Sequence, residues 1–177
     1  MLDIEVAAEL RKSAAPAWVS EMGETSAFLG GLLRVINPAE FETGIACIKA
    51  IVKGDQVAKK ENLDDLGRIW TSPYPTVSLM SNRNSPIHRD TGGDYSSMDM
   101  LVSVGPYEKA VFNVPGLGLK FWYDTGTVIG LLGRILQHGA ECTGDRLCWA
   151  QYLKENVLDS LGIPPPKWVH IQDLEVL

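Results

Sequence analysis

From residue 75 onward the sequence consists of short β-type runs that Gly, Pro, Asn and Asp interrupt at close intervals. Short runs with turn residues between them are typical of a β-sandwich or a β-barrel. Gly105-Pro106 and Pro115-Gly116 mark turns between neighbouring runs. The predicted strands are 76–81, 98–104, 110–114, 119–123, 127–132 and 146–152, and a helix is predicted after them at 154–161.

The first third of the chain has a helical pattern instead. Residues 21–35 carry apolar side chains at helical spacing. The segment Asn37-Pro38-Ala39-Glu40 then resembles a helix cap, a first-turn proline and a capping-box glutamate. A second helix is therefore predicted from this segment to Gly54, and the polar stretch 55–67 predicts a loop.

His88, Asp90 and His138 have the residue types of a metal site. In an extended segment residues i and i+2 face the same side, so His88 and Asp90 can bind one ion. His138, from a distant strand, would complete a facial triad of two histidines and one carboxylate. This ligand set suits Fe(II) and leaves three positions open. The keto acid 2-oxoglutarate takes two of them and O2 the third, while Arg146 would hold the far carboxylate of the keto acid.

Other uses of these side chains must be weighed against the metal site. A His-x-Asp triplet alone is a weak signal, but the chain has only three histidines and two occupy the expected places. His170 is predicted to be a packed or solvated histidine of the tail. A zinc site of His138, Cys142 and Cys148 is an alternative, although its spacing matches no usual finger. The three cysteines contain no Cys-x-x-Cys pair, which predicts a reducing compartment without disulfides.

Length and charge restrict the classes of protein further. A chain of 177 residues predicts one domain, and no apolar run reaches the length of a membrane span. We expect a protein that is soluble, not secreted and not bound to a membrane. A net charge of −6 gives no general attraction for nucleic acid, so any DNA affinity must be local. The best local candidate is a basic cluster that also fits a solvated face, namely Lys49, Lys53, Lys59, Lys60 and Arg68.

These patterns together predict an α+β fold that is mainly β. A double-stranded β-helix, or jelly-roll, suits the site because its strands bring residues from distant parts of the sequence to one barrel mouth. We expect N-terminal helices packed on this core within a single domain of residues 1–177. The helical part would cover about 1–66 and the catalytic jelly-roll about 67–177.

Four segments of the chain resemble the Tet-like 2-oxoglutarate and iron oxygenases that are abundant in mushroom-forming fungi. They are 81–90 with the first two metal ligands, 118–128 before the distal histidine, 133–139 with that histidine, and 144–150 around Arg146. The similarity covers about residues 75–170. It implies a dioxygenase related to the Tet and JBP enzymes, which use Fe(II), 2-oxoglutarate and O2 to oxidise the methyl group of a pyrimidine base in DNA. A base in duplex DNA would have to be flipped out of the stack.

The candidate substrate contacts depart from the animal Tet pattern. Gly93, with Asp94 beside it, stands where those enzymes have a base-binding asparagine, and Lys154 stands where they have a histidine. Asn82 and Asn84 precede the metal ligands, and we take them with Asp94 as candidate substrate-binding residues. Asparagine-rich turns are also common without such a role.

The leading functional hypothesis is therefore oxidation of 5-methylcytosine in DNA. This substrate would place the protein in the nucleus, and the cytoplasm is the alternative location. One alternative keeps the iron chemistry but acts on an N-methylated base, as AlkB-type enzymes do, or on a protein side chain. An alternative of another class is a non-catalytic jelly-roll that serves as an interaction module. Intact His88, Asp90, His138 and Arg146 argue against that module, since a retired site has no physical reason to keep these ionisable groups.

Overall fold

The computed structural model describes residues 4–168. Their contacts divide them into two compact units, Thr76–Lys154 and a second unit made of the remaining described residues. Within residues 4–168, no helix is both long and apolar enough to cross a membrane. The assignment of residues 1–177 to a single domain stays a prediction.

The unit that contains the N-terminal residues is mainly helical. It contains the helices α1 (Ala15–Glu21), α2 (Gly23–Ile36), α3 (Pro38–Lys53), α4 (Leu63–Ile69) and α5 (Glu155–Leu161), and two short parallel strands, β1 (Ile4–Glu5) and β2 (Val57–Ala58). The three predicted helices have counterparts in α2, α3 and α5. Val6, Val19, Val57, Leu63 and Leu66 form a buried apolar cluster in this unit.

The N-cap predicted before α3 is present, but Glu40 does not complete a capping box, because the backbone N–H of Asn37 donates to the carbonyl of Leu33. The side chain of Asn37 accepts a hydrogen bond of 3.2 Å from the backbone N–H of Glu40 and donates one of 2.9 Å to its carboxylate. The helix ends as predicted at Gly54, whose φ of 79° is a left-handed conformation that glycine adopts without strain. The loop predicted over 55–67 is wrong, because β2 and the start of α4 lie within it. Two buried leucines of α4, Leu63 and Leu66, were too few to reveal a helical period in the sequence.

The second unit is a jelly-roll of two four-stranded antiparallel sheets. One sheet has the order β3-β10-β5-β8 and the other the order β4-β9-β6-β7. The chain therefore passes repeatedly from one sheet to the other, which confirms the predicted double-stranded β-helix. The strands are β3 (Thr76–Ser81), β4 (Ser85–His88), β5 (Asp99–Val104), β6 (Tyr107–Val114), β7 (Leu119–Trp122), β8 (Val128–Leu131), β9 (His138–Gly144) and β10 (Leu147–Tyr152).

Alternating side chains build the core of the jelly-roll. On β6, Ala110, Phe112 and Val114 are buried while the residues between them are less so, as expected for a strand with one covered face. All six predicted strands have counterparts, and a late strand carrying His138 is confirmed. Neither 85–88 nor 138–144 stood out as a β-type run, although these two strands carry the histidines of the site.

Candidate metal centre

Strand pairing brings His88 and His138 together. His88 is the last residue of β4, His138 is the first residue of β9, and the two are direct partners in the antiparallel register. Asp90 follows two residues after His88, and its backbone N–H donates a 3.0 Å hydrogen bond to the carbonyl of Gly133. The predicted ligands are therefore held by two strand ends and one backbone contact.

The three side chains offer ligand atoms that all lie within 4.8 Å of one another. Nε2 of His88 is 3.5 Å from Oδ1 of Asp90, and Nε2 of His138 is 3.5 Å from Oδ2 of the same carboxylate. His138 is buried, whereas the side chains of His88 and Asp90 are each 39% exposed. The exposed side leaves space for further ligands.

Hydrogen bonds at the other ring nitrogens define how the two histidines can act. Nδ1 of His88 lies 2.7 Å from the carbonyl of Pro86, and Nδ1 of His138 lies 3.0 Å from the carbonyl of Leu136. A carbonyl only accepts, so in each neutral ring Nδ1 carries the proton and Nε2 presents a lone pair. Orientation of a ligating imidazole by a carbonyl at its second nitrogen is a regular feature of metal sites.

The arrangement fits a divalent cation. Two imidazole lone pairs and one carboxylate converge on the same space, where a bound cation would offset the repulsion between these acceptors. Phe112 stacks on His138 with ring centroids 5.7 Å apart and an interplanar angle of 16°, which restricts rotation of the buried ring. Two histidines and one carboxylate match the predicted Fe(II) site.

The centre opens into a cavity of about 290 Å³ inside the jelly-roll. Strands of both sheets line it, and the small side chains of Ala140 and Ala150 leave room in it. Arg83, Arg146 and Lys154 are the basic residues of its wall. A concave cavity that combines apolar and polar wall residues is the common form of a small-molecule site.

Arg146 is a buried cation in this wall. It lies one residue before β10 rather than on that strand, and only 4% of it is exposed. Nε donates to Oγ of Ser103 at 2.7 Å, Nη1 reaches the carbonyl of Arg83 at 3.5 Å, and the guanidinium lies 4.7 Å from the ring centroid of Tyr123. Burial raises the pKa of the Tyr123 phenol, which therefore stays neutral beside the cation.

Among the described residues, no carboxylate forms an ion pair with Arg146. A guanidinium keeps its charge at any working pH, and burying it without a counter-ion is costly. An anionic ligand in the cavity would supply the missing charge. The far carboxylate of 2-oxoglutarate fits this requirement, because a guanidinium binds a carboxylate through two parallel hydrogen bonds.

The predicted substrate contacts have hydrogen-bonding partners within the fold. Asn82 bonds to both backbone groups of Arg146. Oδ1 of Asn82 accepts from the backbone N–H of Arg146 at 2.7 Å, and the backbone N–H of Asn82 donates to the carbonyl of Arg146 at 2.7 Å. Oδ1 of Asn84 accepts from the backbone N–H of Cys142 at 2.7 Å. Asp94 accepts from Ser96, at both its backbone N–H and its hydroxyl. None of the three is among the described residues that line the cavity, so these bonds favour a role in shaping the loops, and substrate contact stays a prediction.

Sequence reasoning missed several residues of the site. Ser103 and Tyr123 contact Arg146, and Gly133 packs so closely on Asp90 that a Cβ there would overlap its carboxylate. Arg134 donates to the carbonyl of Gly93 at 2.5 Å. Nothing in the sequence pattern connects these residues, because the contacts arise from strand topology.

The remaining metal alternatives receive no support from residues 4–168. There, the group of His, Cys, Asp and Glu side chains placed to hold a metal is His88, Asp90 and His138, without Cys142 or Cys148. The cysteines described are free, as predicted. His170 lies outside the described residues.

A family model matches most of the chain. The Tet_JBP model, described as the oxygenase domain of the 2OGFeDO superfamily, matches residues 8–155. Among solved structures, the chain is similar to NgTET1 in complex with 5mC DNA, with a TM-score of 0.64 and 14% sequence identity. The similarity covers 97% of this chain and 62% of the NgTET1 chain, so the chain spans less than two thirds of that protein, and at this identity it concerns the fold. No curated protein matched the sequence.

Proposed function

This chain belongs to the Tet_JBP family, the oxygenase domain of the 2OGFeDO superfamily, and from this premise we propose that it oxidises the methyl group of a pyrimidine base in DNA, with 5-methylcytosine as the substrate. It is a dioxygenase that uses Fe(II), 2-oxoglutarate and O2. Membership of this family favours an enzyme over a non-catalytic interaction module.

The observation that carries the proposal is the pairing of two groups in one cavity. His88, Asp90 and His138 converge with their lone pairs on one point, and the buried cation Arg146 lines the same cavity without a counter-ion among residues 4–168. In the proposed assignment the first three hold Fe(II) and Arg146 holds the far carboxylate of 2-oxoglutarate. One cosubstrate with a chelating head and an anionic tail would satisfy both groups.

When bound, iron with 2-oxoglutarate and O2 supplies the oxidation of a C–H bond, and succinate and carbon dioxide are released. The protein contributes position and exclusion of water. Pro86 and Leu136 fix the histidine tautomers, Phe112 holds the buried ring, and the apolar walls keep water away from the reacting methyl group.

The charge distribution supports a nucleic acid substrate better than the net charge does. Residues 76–154 contain seven Lys or Arg and seven Asp or Glu, so the jelly-roll unit has no net charge and the whole excess of −6 belongs to the remaining residues. Arg83 and Lys154 line the cavity, and Arg89 is exposed between two proposed ligands. We assign the local phosphate contacts to these cations.

The basic cluster singled out in the sequence is a weaker candidate for DNA contact. Lys53 forms an ion pair of 3.1 Å with Asp55, and Lys59 forms one with Glu5. Partial neutralisation of this kind is typical of a solvated face. With DNA as the substrate, we also propose residence in the nucleus.

The decisive experiment is oxidation of defined DNA by the purified chain. Protein loaded with Fe(II) and 2-oxoglutarate under anaerobic conditions is exposed to air with DNA that contains 5-methylcytosine, N-methylated bases or no modification, and the nucleosides are analysed by mass spectrometry. Oxidised 5-methylcytosine, absent with Asp90→Ala, supports the proposal. Formaldehyde released only from the N-methylated DNA would reject 5-methylcytosine as the substrate and favour the AlkB-type alternative. Succinate without any change in DNA would reject DNA and favour a protein side chain.

A further inference from the structure

A chain of hydrogen bonds leads from the proposed cosubstrate anchor to a tyrosine that lies outside the lining of the cavity. Nε of Arg146 donates to Oγ of Ser103 at 2.7 Å, and the same Oγ lies 2.9 Å from the hydroxyl of Tyr107. That hydroxyl also lies 2.7 Å from the carbonyl of Tyr123. Three residues, Ser103, Tyr107 and Tyr123, are thus connected behind the guanidinium of Arg146.

The chemistry of the donors gives this chain a direction. Arg146 can only donate and the carbonyl of Tyr123 can only accept, so the phenol proton of Tyr107 goes to Tyr123. The same phenol proton is shared with Oγ of Ser103, which therefore accepts from both Tyr107 and Nε of Arg146. Burial raises the pKa of Tyr107, so its hydroxyl remains a donor throughout the neutral range. Tyr107 thereby holds the Oγ atom that Arg146 binds.

The chain restricts how the guanidinium can turn. Nε is bound to the fully buried Ser103 and the π face lies over Tyr123. The edge formed by the two Nη atoms makes only the long 3.5 Å contact of Nη1 with the carbonyl of Arg83, so it is the edge left for a bidentate partner. The backbone of Ser103 is itself fixed, since its carbonyl accepts from Gly126 at 2.7 Å and its N–H donates to Thr127 at 3.2 Å. Arg146 is therefore aimed before a ligand arrives, which reduces the ordering cost of binding.

We propose that Tyr107, acting through Ser103, is a positioning residue that orients Arg146 for the distal carboxylate of 2-oxoglutarate; the inference rests on the anchoring role of Arg146 given under the proposed function. Tyr107 touches neither cosubstrate nor metal in this assignment. Its effect is specific to ligands that carry a distal carboxylate. A purely structural role would instead weaken every ligand of the cavity alike.

The test compares two keto acids under anaerobic conditions, where no turnover occurs. Affinities of the Fe(II)-loaded protein for 2-oxoglutarate and for 2-oxobutyrate, which has the same keto-acid head without the distal carboxylate, are measured by calorimetry and by competition. Tyr107→Phe removes only the hydroxyl and should weaken 2-oxoglutarate about 3- to 10-fold, the value of one hydrogen bond, with 2-oxobutyrate unchanged. Ser103→Ala should act in the same direction, and the double variant should lose less than the product of the two single losses.

Two further variants make the outcome specific. Tyr74→Phe deletes another buried phenol hydroxyl, bound to Glu40 at 3.3 Å in the helical unit, and should leave both affinities unchanged. Arg146→Met tests the anchor itself and should lower the affinity for 2-oxoglutarate severely. If Arg146→Met has no effect, the anchoring role fails. If Arg146→Met lowers affinity but Tyr107→Phe and Ser103→Ala do not, or if they weaken both keto acids equally, only the positioning role of Tyr107 is overturned.

Discussion

His88 and His138 are direct partners across the β4–β9 pair, and their rings lie 4.5 Å apart with a tilt of 48°. The register of this pair shifts between Ser85 and His88, as at a β-bulge, which changes the direction of the side chains at the strand end. A slip of one residue would turn His138 to the other face of the sheet. The geometry of the proposed iron site is therefore a consequence of strand register.

Asp90→Ala should abolish iron binding and 2-oxoglutarate turnover while the fold is retained. The carboxylate is the third convergent ligand, whereas the hydrogen bond from Asp90 to Gly133 uses only the backbone N–H and survives the change. Iron content after reconstitution and the thermal midpoint Tm are the measurements. Glu141→Ala, on the same strand as His138 but with an exposed side chain, is the control and should bind iron normally. Full turnover by Asp90→Ala would remove the iron assignment.

Arg146→Met should separate ligand binding from stability. The buried guanidinium has no counter-ion in the described part of the chain, so an apolar side chain of similar length should leave Tm of the ligand-free protein unchanged or raise it. Affinity for 2-oxoglutarate should fall about 30-fold or more, as expected for loss of a buried charged partner. Arg146→Lys should show an intermediate loss, because one point charge replaces the fork. Unchanged affinity in both variants would mean that another residue holds the cosubstrate.

The sequence revealed the parts of the site whose residue types are rare. Histidine occurs only three times in the chain, and a His-x-Asp triplet with a later histidine and arginine restricts the chemistry strongly. Ser103 and Tyr107 have no such signal, since both residue types are common in strands and turns. Their link to Arg146 depends on the pairing of β10 with β5, a contact between distant parts of the chain.

The same reasoning explains which elements of the fold were found. The pattern of 76–81 predicts β3 with its bounds because polar and apolar residues alternate over 76–79. By contrast, β9 begins His138-Gly139-Ala140 and has Thr143 as its one β-branched residue. The neighbouring strands β4 and β6 provide the hydrogen bonds that make β9 a strand. Tertiary pairing therefore decides the element that carries a proposed ligand.

Asn82→Ala should raise the Michaelis constant for 2-oxoglutarate more than that for DNA. Asn82 bonds to both backbone groups of Arg146 and its φ is 50°, so its removal should loosen the turn that carries the guanidinium. Asn84→Ala, which frees the backbone of Cys142 instead, is the matched comparison and should change the constant for 2-oxoglutarate less. Steady-state kinetics with each substrate varied in turn measure the difference. A change confined to the constant for DNA would instead support Asn82 as a substrate contact.

Gly133→Ala should lower iron affinity without a direct change to any ligand. A Cβ at this buried position would overlap the carboxylates of Asp90 and Asp99, so the Asp90 side chain must move from the point where the two imidazoles converge. The backbone of Gly133 is not in the left-handed region, and alanine is compatible with it. Gly116→Ala, which meets open space in the same unit, is the control and should bind iron as the unchanged protein does. Equal iron affinity in the two variants would show that the Asp90 carboxylate has freedom to move and that its packing against Gly133 does not define the site.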